Sequence, residues 1–206
     1  MVGDRSPTRI VHLAHSVKSS IAAPPSVEEA RPGRCPACGA ASRPVGGPLC
    51  LHGHGLRDRQ QRGPTTPDGV PEEALVALRR YRCLACRAVI TVVPTDVEPR
   101  RHYSRPAIAL ALALWSLSGL PPREVRRRIS SWSILGATTA ERWVTLRRWA
   151  GAASAGRLFR AIGRALDGSA LEVSARVAQA ALANAAPTLR HLPIGAQVFH
   201  GAVSMT

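Results

Sequence analysis

Two C-x-x-C pairs, Cys35-Pro36-Ala37-Cys38 and Cys83-Leu84-Ala85-Cys86, carry the strongest chemical signal in the 206-residue chain. Each pair forms a knuckle in which two thiolates bind one ion while backbone amides of the turn point at the sulfurs. Two knuckles brought together by a β-hairpin close an all-sulfur tetrahedral site. That donor set suits structural zinc and leaves no open position for catalysis. Between the inner cysteines lie 44 residues, a gap that the loop Gly63–Pro71 partly fills. A unit this small buries little apolar surface, so metal binding supplies much of its folding free energy. A thioredoxin-like redox pair is disfavoured, because there are two pairs and no βαβ pattern. A further option swaps in Cys50, His52 or His54 as ligands. The reading preferred here leaves Cys50 as a free thiol in or near the hairpin core, with the histidines facing solvent or phosphate.

Arginine is the second group with chemical meaning. Lysine and arginine total 28 against 13 acidic residues, a net charge of +15, and only Lys18 is a lysine. The excess is concentrated: residues 101–150 hold nine basic and two acidic side chains, a net +7. A local patch sets the field that a phosphate backbone feels, so this segment is the expected polyanion contact.

Sequence patterning supplies the elements that position these groups. Candidate strands are Leu49–Arg59, Ala74–Arg82 and Ala88–Val93, separated by the Pro/Gly-rich loop at 63–71. Residues 1–33 show no sustained period and read as mostly disordered, with a short helix allowed over Ile10–Ser19 because Ile10, Leu13 and Val17 share a face. After Pro99 the pattern turns helical. Ser104 caps a first helix, and Pro121-Pro122 opens a second. Thr138-Thr139-Ala140-Glu141 has the spacing of a capping box and opens a third, whose apolar face includes Trp143 and Leu146. Alanine-rich helices are expected over Ala153–Leu166 and Ser169–Ala185, followed by an unpatterned tail from Pro187. The longest apolar run, Ala107–Trp115, is nine residues, and a bilayer span needs about 20. No export signal is read, which together with the cysteine pattern implies a reducing, cytoplasmic, nucleoid-associated protein.

Three helices with a turn before the third have the order of a helix-turn-helix, whose last helix enters the major groove. Turning Trp143 and Leu146 inward leaves Thr139, Arg142, Thr145 and Arg148 outward. Arg142 is the candidate for a bidentate guanine contact. Arg123, Arg126, Arg127 and Arg147 are candidate phosphate binders, with Arg128 beside them. Trp115, Trp143 and Trp149 read as core.

Arg34-Cys35-Pro36-Ala37-Cys38-Gly39, His52-Gly53-His54-Gly55-Leu56-Arg57-Asp58-Arg59 and Arg80-Tyr81-Arg82-Cys83-Leu84-Ala85-Cys86 together resemble the zinc-binding N-terminal region of bacterial insertion-sequence transposases. With Val92-Val93-Pro94, Pro99-Arg100-Arg101-His102-Tyr103-Ser104 and Arg142-Trp143 added, the chain is similar to short bacterial proteins of unknown function that join a zinc ribbon to a helix-turn-helix. The resemblance spans about residues 34–150. It implies that Cys35, Cys38, Cys83 and Cys86 are ligands and that the 138–149 helix reads DNA. A transposase needs three carboxylates on a mixed α/β scaffold to clamp two metal ions. Past residue 100 this chain has only Glu124, Glu141, Asp167 and Glu172, all on helical segments or their edges. It also lacks a phosphate loop and a Ser/His/Asp set, so no enzyme is expected.

The sequence therefore predicts an α+β chain: a disordered segment (1–33), a zinc-ribbon β unit (34–99), an all-α helix-turn-helix unit (100–151) and Ala-rich helices with a tail (152–206). Its expected role is zinc-stabilised binding of double-stranded DNA in connection with a mobile element, without the catalytic domain. Further expected partners are a transposase or a second copy of the chain, and no membrane. The alternative is a zinc-ribbon adaptor that recruits a transposase or another protein.

Overall fold

β-Branched residues bring together distant parts of the chain. In the computed structural model, residues 8–132, 142–162 and 166–205 are described, and among them the architecture is α+β, with one four-stranded sheet and six α-helices. Strand β1 (Thr8–Leu13) is followed by helix α1 (Val17–Ala22), which Ser16 caps by accepting the Ser19 amide at 3.1 Å. Strands β2 (Leu51–Gly63) and β3 (Glu72–Cys83) flank the expected loop, and β4 (Val89–Pro94) follows the second cysteine pair. The sheet order is β1-β4-β3-β2. β3 runs antiparallel to β4, with Tyr81 opposite Ile90. β1 runs parallel to it, in register from Thr8↔Val89 to Leu13↔Pro94.

The N-terminal segment corrects the sequence reading. It is not mostly disordered from residue 8 onward, and residues 10–13 are strand rather than the start of a helix. Ile10 and Val11 favour extended backbone, but the strand exists because β4, about 80 residues away in sequence, completes its ladder. Thr95 adds to the pairing by donating its amide to His15 O at 2.9 Å.

Two compact units result. The first takes in the chain up to Gln60 and Leu75–Thr95; the second takes in Gln61–Ala74 and everything from Asp96. The ends of β2 and β3 nearest the loop thus count with the second unit. The first unit has a small core of Ala30, Cys35, Leu51, Tyr81, Cys83, Ile90 and Val92. Tyr81 is fully buried there, and its hydroxyl donates to Val27 O at 2.6 Å.

The second unit is built around α2 (Arg105–Ser116), which Ser104 caps as expected, its hydroxyl accepting the Ala107 amide. Residues Arg105–Leu114 are all buried, so the nine-residue apolar run is a central helix rather than an amphipathic one. Packed on it are α3 (Pro122–Ile129), α4 (Thr145–Ser154), α5 (Ala170–Asn184) and α6 (Ile194–Gly201). Arg105 is only 2 % exposed, and its Nε donates to Glu98 Oε2 at 3.0 Å. Its Nη1 also donates to Val203 O at 3.2 Å. Removing one member of such a buried pair costs about 3–5 kcal/mol, because the other charge is left uncompensated.

Three helical expectations change. The helix over Ala153–Leu166 does not form: α4 ends at Ser154, with Gly156 just beyond it at φ +63°, and a short 3-10 turn covers Arg160–Ile162. The tail from Pro187 is structured, as a 3-10 turn at Pro187–Leu189, α6, and a second turn at Ala202–Ser204. The third helix does not run unbroken from Thr138 to Ala150, since the helix described there starts at Thr145 and Trp143 is not helical. Trp143 packs edge-on against Trp149 with ring centroids 5.3 Å apart, and that burial outweighs helix continuity. The capping box at 138–141 lies outside the described residues. The Ser169/Glu172 capping box at the start of α5 is present.

Gly201 marks the closest helix approach, because a Cβ there would overlap the Ala181 carbonyl of α5. Gly201→Ala is expected to destabilise the helical unit by about 2–3 kcal/mol or more, as overpacking against rigid backbone does. Chemical denaturation checks this, with Gly151→Ala, which meets open space inside α4 and should be mildly stabilising, as the comparison.

Candidate functional site

The two cysteine pairs fold into copies of one turn. Cys35 N donates to Ala40 O and Gly39 N donates back to Cys35 O, both at 2.9 Å. In the second turn Cys83 N donates to Ala88 O at 3.0 Å, and Arg87 N donates to Cys83 O at 2.9 Å. Gly39 and Arg87 take the same position, with φ of +74° and +61°. A glycine meets that need freely, whereas an arginine bears a cost of about 1–2 kcal/mol. Both turns bury the first cysteine and expose the second. Backbone bridging of Arg34 with Ala41 holds the first turn, and β3 and β4 hold the second.

All four Sγ atoms lie within 4.8 Å of one another. Cys35 is 3.7 Å from Cys86 and Cys38 is 3.8 Å from Cys83. An ion bonded to four sulfurs at about 2.3 Å needs sulfur–sulfur edges of about 3.8 Å, so the four thiols fit a tetrahedral metal ion. Amides are aimed at the sulfurs. The Ala40 N–H pulls the Cys38 thiol down, but Cys86, burial, Cys35 and Cys83 outweigh it and push the thiol up to about 12. Burial raises the Cys83 thiol, and the amides of Cys86 and Ala85 with the thiols of Cys35 and Cys86 overcome it and bring it to about 6. The Ala88 N–H favours the Cys86 thiolate, yet burial, Cys35 and Cys83 leave that thiol raised. Thiols this close resist ionising together until a cation neutralises them.

The alternative ligands are not gathered into this group. Cys50 is half-buried with its Sγ 3.9 Å from that of Cys83, and its backbone braces both turns by donating to Ser42 O and accepting from Leu84 N. His52 is exposed, its Nε2 2.9 Å from Leu49 O, and His54 is exposed on β2. Among the described residues the cluster that could hold a metal is Cys35, Cys38, Cys83 and Cys86.

The residues expected to meet nucleic acid are partly assembled. Trp143, Leu146 and Trp149 are buried, while Arg142, Arg147 and Arg148 are exposed; Thr145 is half-buried as the first residue of α4. Because the chain breaks helix at Trp143, Arg142 does not share one continuous helical face with Thr145 and Arg148. Thr139 lies outside the described residues. On α3, Arg123 is exposed and Arg126 donates to Trp132 O at 2.7 Å. Arg127 and Arg128 both pair with Glu124, whose carboxyl Arg127 chiefly holds below its ordinary value. Exposed pairs of this kind are weak and exchange readily for a phosphate.

The Pro-Arg-Arg-His-Tyr-Ser stretch is structural. His102 O accepts from Arg62 N and Gln61 Nε2, Tyr103 stacks edge-on with Trp149, and Ser104 caps α2. One arrangement had no signal in the sequence. Trp132 lies against Arg62 and Glu73, roughly 60 residues earlier in the chain.

The chain belongs to the family described as a domain of unknown function (DUF6431), which matches residues 47–149, half of the sequence. The match takes in Cys50, the second cysteine pair, the hairpin and helices α2 and α3, and begins after the first cysteine pair. No curated protein and no solved structure matches. No helix among the described residues is long and apolar enough to cross a membrane.

Cys35→Ser or Cys83→Ser is expected to abolish binding of one metal ion per chain and to melt the sheet unit, whereas Cys50→Ser retains the metal. Metal analysis with circular dichroism separates these outcomes. Loading must displace thiol protons, so affinity should rise with pH through neutrality, and calorimetry in buffers of different ionisation enthalpy reads the proton release.

Proposed function

We propose that the protein is a zinc-stabilised binder of double-stranded DNA, cytoplasmic and nucleoid-associated, and not an enzyme. The observation that carries the reading is the pairing of a buried Trp143–Leu146–Trp149 face with exposed Arg142, Arg147 and Arg148, in a unit whose α3 is also rich in arginine. Three elements supply this surface in helix-turn-helix order, and the local net charge of +7 over residues 101–150 attracts phosphate. The four-thiol cluster would hold zinc as a structural clip at the base of the β2–β3 hairpin, by its donor chemistry. A closed four-sulfur shell leaves no position for a reacting group, which supports a binding role. The resemblance of the cysteine turns and the residues after them to transposase N-terminal regions supports a place beside a mobile element, as a targeting or regulatory part. A transposase or a second copy of the chain would be a protein partner.

Duplex affinity is expected to fall about a hundred-fold or more between 50 and 200 mM salt, for roughly five neutralised phosphates. Arg142→Ala with Arg148→Ala should weaken binding more than tenfold. A gel-shift series with salt reads both; binding that is absent or indifferent to salt overturns the reading in favour of a protein adaptor. A cobalt-substituted sample should show the spectrum of a tetrahedral all-sulfur site.

A further inference from the structure

Trp132 differs from the other described tryptophans in being both exposed and fixed. It is 53 % exposed, whereas Trp143 and Trp149 are buried in the helical core. Four contacts nevertheless hold it. Its indole Nε1 donates to Glu73 Oε2 at 2.8 Å, and its carbonyl accepts from Arg126 Nη1 at 2.7 Å. Its amide donates to Ser130 Oγ at 3.3 Å, and that same hydroxyl accepts from Tyr103 at 2.9 Å. The Arg62 guanidinium lies 3.7 Å from the ring centroid, and Arg62 Nε is 3.3 Å from the Glu73 carboxylate that also receives the indole. A cation over one face, a bonded edge and a tethered backbone leave the opposite face as the ring's accessible part.

Holding a tryptophan with about half its surface in water forgoes much of the gain from burial, so the arrangement suits a partner that meets the open face. That partner must offer a flat apolar surface and negative charge together. Glu73 is committed to Arg62 and Trp132, and Glu124 to Arg127 and Arg128, and residues 101–150 remain net positive. Nucleic acid has both properties, but a base within an intact duplex has no free face to give. Resting on the DNA-binding reading above, we propose that Trp132 is a stacking platform for an unpaired nucleobase, with Arg62 backing the ring and Arg126 and its α3 neighbours holding the adjoining phosphates. Stacking on an aromatic side chain is tolerant of base identity, so the platform would recognise an extrahelical or frayed base rather than a sequence.

The test uses the full-length, metal-loaded protein and two fluorescent probes: a matched duplex, and the same duplex carrying one extrahelical adenine. Fluorescence anisotropy at one low salt concentration should show the bulged duplex bound about tenfold more tightly, as expected for one stacked base. Trp132→Ala should remove that preference while leaving matched-duplex affinity within a few-fold, and Trp132→Phe should keep most of it. Arg142→Ala with Arg148→Ala should weaken both probes in parallel and preserve the ratio. Equal affinity of the wild type for the two probes, or a ratio unchanged in a folded Trp132→Ala, overturns the platform while the DNA-binding reading stands. Failure of the wild type to bind either probe, including a protein that captures only acidic polypeptides, overturns both.

Discussion

Four thiols with their sulfur atoms inside 4.8 Å of one another do not share negative charge without a cation among them. The sheet unit depends on that mutual constraint. Its core is a handful of side chains, two of them Cys35 and Cys83, so the four-thiol cluster and the hydrophobic core are made partly of the same residues. The backbone geometry favours thiolates at these turns. Each turn presents amides to its sulfurs, and each keeps one residue at positive φ to do so, even where that residue is Arg87. A cation held there would supply attraction that a core this small lacks.

The helical unit rests on a different arrangement. α2 is buried on every side, and the charged residue at its start, Arg105, is matched by Glu98 and by a carbonyl near the C-terminus. A central helix with small side chains lets neighbours approach closely, which is why alanine is abundant there and why α6 meets α5 at a glycine. Arginines that do not take part in this interior are left at the surface. The basic face is thus the complement of the packing, whether or not a ligand is bound.

Much of the architecture was legible because its signals were local. The cysteine spacing, the Pro/Gly loop, the Ser104 and Ser169 caps and Pro122 each act within a few residues, and the structure uses each of them. The parts that were not legible depend on distant partners. Ile10, Leu13 and Val17 fit a helical period, whereas pairing with β4 makes residues 8–13 a strand. The C-terminal tail shows little pattern because α6 is short and mixes small residues, Ala196 and Gly201, with Val198 and Phe199 on the side that packs against α2 and α5. Gly156, at positive φ, is a local stop signal within an alanine-rich stretch. In the candidate sites, the four ligands could be read from spacing alone. The Trp132 arrangement could not, since it joins one side chain to two others on a hairpin far back in the chain.

The assignment of residues 61–74 to the helical unit gives the chain an interleaved order: first unit, second unit, first again, second again. Neither unit is one uninterrupted stretch of polypeptide, so no single cut in the gene yields both intact. Exchange of modules between genes, which proceeds by moving contiguous segments, would therefore break one unit whenever it copied the other. The cysteine-bearing unit and the basic helical unit are not separable as contiguous modules.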